Sequence, residues 1–190
     1  MKSIYIINLL LMTMSISAQD HTHEIDSKLL DYIQNVNQGT IQKDTLKGSP
    51  KREVSTANIH ITYSSPGVKG RTIWGGLVAF DQVWVTGAHR ATIVEFEQPV
   101  RIEGKMLEAG KYGFFTIPGK EEWVIIFNSR WDQHLADDYR ASEDILRFKV
   151  HPQPQEFIGR LTYSLQEESN ATLMSVSWDK LKVEFKIEKP

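Results

Sequence analysis

The chain has 190 residues, with 22 basic against 24 acidic side chains and a formal charge of −2 when histidines are neutral. That balance, with no basic cluster, argues against nucleic acid or an anionic membrane surface as a partner. There is no cysteine, which excludes a disulfide framework and thiol redox chemistry and leaves stability to a core drawn from 41% hydrophobic and 10% aromatic residues.

At the N-terminus, Lys2 is followed by the apolar run from Ile4 to Met12 and by small residues up to Ala18, the layout of a secretory signal cleaved after about Ala18. The run is too short to span a bilayer as a helix, and no cysteine is present for lipid attachment. The expectation is a protein of the periplasm or the medium, not a lipoprotein, with no membrane insertion in its mature form. Cleavage would expose Gln19-Asp20-His21. A free amine with histidine third can wrap Cu(II) or Ni(II) in four nitrogens, with His23 assisting, unless the terminal glutamine cyclises and blocks the amine.

Residues 24–38 place Ile25, Leu29, Ile33 and Val36 at helical intervals, with Leu30 and Tyr32 broadening the stripe, and so predict one amphipathic helix that packs on its own domain or on a partner. A polar linker with Gly48 and Pro50 follows to Arg52. Within it Asp44-Thr45-Leu46 resembles a bacterial O-glycosylation acceptor, although a chance tripeptide is the better reading. The expected organisation is a signal peptide over 1–18, helix and linker over 19–52, and one folded domain over 53–190.

In that domain the hydrophobic period changes to two. Ile59, Ile61 and Tyr63 alternate with His60 and Thr62, a half-buried strand. Further strands are read at 83–86, 92–96, 100–102, 112–117, 123–128, 145–150, 157–165, 172–178 and 182–187, with turn signals such as Glu103-Gly104 and Pro118-Gly119 between them. About ten short strands and almost no helix predict an all-β sandwich or jelly roll.

Three stretches resemble a known family: Tyr63 to Leu77 with Gly67, Gly70 and Arg71; Val83-Trp84-Val85-Thr86-Gly87-Ala88-His89-Arg90; and Leu107-Glu108-Ala109-Gly110-Lys111-Tyr112 followed by Phe115-Thr116-Ile117-Pro118. Their order, continued by Glu122-Trp123, Asp144 to Arg147 and Trp178, resembles the domain-of-unknown-function family numbered 2911. The resemblance implies an exported β-rich domain of the kind found largely in Bacteroidetes-type bacteria, with no assigned activity. The family's pattern has arginine where this chain has Val85, and asparagine where it has His89.

No nucleophile elbow, paired-histidine zinc motif, phosphate loop or nucleotide fingerprint is present, so no cofactor is expected. The segment Thr86-Gly87-Ala88-His89-Arg90 is the best candidate for ligand binding, because small residues permit close backbone approach and two polar heads suit an anionic or hydroxylated ligand. It reads also as a tight turn with solvated ends. The fork of Arg71 suits a ligand carboxylate, or else Glu95, Glu156 or loop carbonyls. Trp84 precedes the turn by two residues, so Arg71, Trp84, Thr86, His89 and Arg90 are expected on one concave patch. Trp74, Trp123 and Trp131 are candidates for sugar stacking. The acidic run from Asp132 to Asp144 invites a calcium reading, but its spacing fits no EF-hand loop and a solvated excursion is the better reading.

Three functions remain open at this point: a non-catalytic module binding a small molecule or glycan, a hydrolase of glycan or peptide using His89 with Arg71 or Arg90, and a structural protein of the envelope. Oligomeric state is left open.

Overall fold

The computed structural model describes residues 48–190. The leader, the 24–38 helix, the glycosylation-like triplet and the metal candidates His21 and His23 lie outside the described residues.

Ten strands follow in chain order: β1 (Lys51–Ser55), β2 (Ile59–Ser64), β3 (Thr92–Phe96), β4 (Val100–Ile102), β5 (Lys105–Leu107), β6 (Gly110–Ile117), β7 (Trp123–Asn128), β8 (Asp144–Val150), β9 (Gln153–Glu167) and β10 (Ala171–Glu188). They build two antiparallel sheets, one in the order β1-β2-β3-β6-β7-β8 and the other β5-β4-β10-β9. The first strand begins at Lys51. One turn of 3-10 helix, Ala141–Glu143, is the helical element of the described residues.

Alternation explains the layering. Ile59, Ile61 and Tyr63 of β2, Val94 and Phe96 of β3, Phe114 of β6, and Trp123, Ile125 and Phe127 of β7 all face one core, which the second sheet closes with Leu161, Tyr163, Met174, Val176, Val183, Phe185 and Ile187. Burying one face of each sheet is the main apolar gain of such a sandwich. A smaller cluster of Val85, Ala91, Phe115 and Ile126 lies on the other face of the six-stranded sheet, since Phe115 and Ile126 alternate with Phe114 and Phe127.

Two readings of the sequence need correction. Residues 83–86 are not a strand: Trp84 alone pairs, through an isolated bridge to Thr116. The predicted strands at 172–178 and 182–187 are one strand, β10, with irregular register around Asp179.

Candidate functional site

The 84–91 segment crosses the six-stranded sheet where β3 stops short. The Trp84 amide donates to the Thr116 carbonyl at 2.8 Å, and the Thr116 amide returns the bond at 3.0 Å. The chain then folds back on itself, because the Trp84 indole N–H donates to the Gly87 carbonyl at 3.1 Å. Thr86 is fully buried in the left-handed region at φ +49°. Its hydroxyl donates to Thr116 Oγ1 at 3.0 Å. Its carbonyl accepts from the Thr92 hydroxyl at 3.0 Å and from the Tyr163 hydroxyl at 2.6 Å. Gly87 is needed for space: a Cβ there would lie 3.0 Å from Thr92 Oγ1 and 3.3 Å from the Ser64 carbonyl. His89 also adopts a positive φ, +66°, and its carbonyl accepts the Leu135 amide at 2.7 Å.

Between this turn and the 66–78 segment lies a cleft of about 430 Å³, lined among others by Lys69, Arg71, Leu77, Trp84, His89 and Trp178. The size is that of a site for a small molecule. The Trp84 and Trp178 rings stack in it, with centroids 5.8 Å apart and planes 18° apart. Trp74 contacts both at 6.0 Å. Leu77, half exposed, and Leu135, at 37%, add apolar surface. The titratable side chains of the lining are Lys69, Arg71 and His89, and no carboxylate belongs to it among the described residues. Arg71 is held in place by its own loop, through Nη2 to the Gly67 carbonyl at 2.6 Å and Nε to the Val68 carbonyl at 3.2 Å. It therefore serves loop carbonyls and neither Glu95 nor Glu156.

Of the five residues expected together, the structure brings three to this cleft: Arg71, Trp84 and His89. Thr86 lies buried behind the turn as its hydrogen-bonding hub. Arg90 points away, paired with Asp132, toward a separate groove on the sheet face. Val85 is 3% exposed in the smaller apolar cluster, so it presents no polar group to the cleft. Trp123 is buried at 2% and 4.7 Å from Trp74, which removes it as a sugar platform, while Trp131 is exposed at 38%. Sequence reasoning missed Trp178, Leu77 and Leu135 as lining. Trp178 alternates with apolar neighbours like any core residue, and its role depends on the long-range stack with Trp84.

The acidic run is spent on scaffolding. Tyr139 donates to Asp144 Oδ2 at 2.6 Å, Arg147 Nε lies 3.1 Å from the same oxygen, and Arg130 pairs with Glu143 at 2.9 Å. Among the described residues no group of three or more histidines or acids is placed to hold a metal ion.

These features define a two-sheet antiparallel β-sandwich with an aromatic-floored, cation-rimmed cleft beside a strained turn. A family model described as Protein of unknown function (DUF2911) matches residues 46–187, and the chain belongs to that family. No curated protein and no solved structure matches it.

Proposed function

We propose that this is an exported, non-catalytic binding module whose cleft takes a small anionic molecule with an aromatic or apolar body. The observation that carries the reading is the convergence of Arg71, Trp84 and His89 on one cleft. The half-buried Trp84 ring, backed by the buried Trp178 ring stacked behind it, gives the cleft an aromatic face, and among the described residues no acid lies beside the rim of Lys69, Arg71 and His89, which favours a negative ligand.

Backbone strain supports the same location. Seven described non-glycine residues have positive φ, and four of them, Lys69, Thr86, His89 and Leu135, line the cleft or lie directly behind it. Such outliers gather at binding sites. Hydrolysis is the weaker reading, because among the described residues the lining supplies no carboxylate to orient and tune His89 as a general acid or base.

The test is a titration of benzoate, phenylacetate and indole-3-acetate, each beside its neutral amide, read by tryptophan fluorescence. At least one acid is expected to bind about tenfold more tightly than its amide, and Lys69→Gln should weaken the acid alone. Saturable binding by none of the acids, or equal binding of acid and amide, would refute the proposal. Export rests on the residue pattern over 1–18, and mass spectrometry of the mature protein should find its N-terminus at or near Gln19. An intact Met1 would overturn it.

A further inference from the structure

On the outer face of the six-stranded sheet lies a second hollow, of about 500 Å³, lined among others by Lys51, His60, Ser64, Arg90, Glu95 and Lys111. Its floor follows from strand register. His60 of β2 lies opposite Glu95 of β3, and Glu95 opposite Lys111 of β6, so one rank of polar heads crosses three strands. The next rank is Glu53 of β1, Thr62, Ile93 and Gly113, and beyond it Ser64 faces Lys51 of β1.

One wall is the His89–Ala91 segment, fastened to the neighbouring loop by the Arg90–Asp132 pair and the Arg90–His134 bridge. At the other end the loop passes over Gly113, where a Cβ would come within 3.0 Å of the Arg130 carbonyl and 3.3 Å of the Trp131 Cα. That crossing sets the exposed Trp131 ring beside the floor, with Lys111 Nζ 5.5 Å from its centroid.

We propose that this groove, which adjoins the cleft at His89, is a binding site for an extended acidic saccharide. Among the described residues the lining holds Lys51, Arg90 and Lys111, with His60 and His89, against one carboxylate, Glu95, while Glu53, Glu97 and Asp132 stand just outside it as partners of Lys51, His60 and Arg90. Their present partners are weak competitors: Lys51 with Glu53 at 3.2 Å, His60 with Glu97 at 3.4 Å, Lys111 with Glu95 at 3.4 Å and Arg90 with Asp132 are all solvent-exposed pairs. A ligand carboxylate can replace them.

The backbone decides between a sugar and a peptide. β2 is paired by β1 and β3, and β3 by β2 and β6, so the floor has no free main-chain ladder for an acidic peptide to extend. Recognition there is left to side chains, and the hydroxyls of Thr62 and Ser64, the basic heads and the Trp131 face match the hydroxyls, carboxylates and C–H faces of uronic acid rings.

The experiment titrates the full mature protein with tetrameric oligogalacturonate and oligomannuronate, with the methyl-esterified oligogalacturonate, and with a tetraglutamate peptide, read by calorimetry and by Trp131 fluorescence. At least one uronate should bind, weakening as salt rises. The ester and the peptide should each bind about fivefold more weakly. Lys111→Gln and Trp131→Ala should each cost about threefold or more, while Lys69→Gln, which belongs to the cleft, should change nothing. The proposal fails if neither uronate binds in the millimolar range, if the peptide or the ester binds as well, or if Trp131→Ala leaves affinity intact. Circular dichroism of each variant guards against unfolding.

Discussion

Thr86 is the residue on which the turn depends. A β-branched side chain at φ +49° carries a steric cost of about 1–2 kcal/mol, and it persists because the surroundings over-determine it: its hydroxyl bonds Thr116, and its carbonyl is held by Thr92 and Tyr163 from two different strands. Two substitutions separate strain from hydrogen bonding. Thr86→Val keeps the branch and deletes the hydroxyl, and should destabilise by about 1–3 kcal/mol. Thr86→Gly deletes the same hydroxyl but relieves the backbone, and should be about 1 kcal/mol more stable than the valine variant. Urea unfolding of the pair measures the difference, and a glycine variant less stable than the valine one would show that the turn is not strained. His89, at φ +66°, follows the same logic. Histidine tolerates this region better than most residues, so His89 answers to a backbone requirement before any ligand is considered.

At the scale of elements, alternation was a good guide wherever a strand buries one face, and failed where it does not. β2, β3, β4, β7 and the end of β10 stand where the period-two pattern put them. β1 shows no such pattern because Lys51, Arg52 and Glu53 are all exposed on an edge strand, and β5 shows none because Lys105 and Met106 are both exposed and Leu107 alone is buried. The false strand at 83–86 alternates well enough, but Thr86's left-handed backbone and the Trp84 indole bond to Gly87 turn the chain out of the ladder. β10 was split in two for a real reason. Met174, Val176 and Trp178 face the core at even positions, and Val183, Phe185 and Ile187 at odd ones. A strand can change parity only through a bulge, and Asp179, at φ +54° with register shifts on both sides, supplies it. The candidate site was legible in part for a similar reason. Arg71, Trp84 and His89 announce themselves by residue type, whereas Trp178, Leu77 and Leu135 join them only through contacts distant in sequence.

For the whole molecule, the 84–91 turn and both sheets are tied together by one buried phenol. Tyr163 of β9 reaches across to the Thr86 carbonyl at 2.6 Å and packs on Tyr63 of the opposite sheet, 4.5 Å between centroids. Complete burial holds its ionisation well above the ordinary phenol value of 10.0. Burial also raises Tyr112, helped by Glu108, and Tyr139, helped by its bond to Asp144. The neutral forms are the ones the fold accommodates, so these groups contribute their full stability below pH 10.0, where the unfolded phenols begin to ionise, and lose it as pH climbs toward the raised folded values. The domain should therefore hold constant stability with respect to its tyrosines through neutral pH and weaken steeply above about 10. Tyr163→Phe separates the two contributions of the residue. At neutral pH it should cost about 1 kcal/mol for the lost hydrogen bond, with the Thr86 carbonyl still served by Thr92, while its alkaline decline should be shallower than that of the parent protein because one buried phenol no longer ionises. Urea midpoints across an alkaline pH series, with phenolate absorbance as the second readout, give both slopes. A Tyr163→Phe variant that declines as steeply as the parent would mean that the buried phenol at the joint of the two sheets does not govern the alkaline limit.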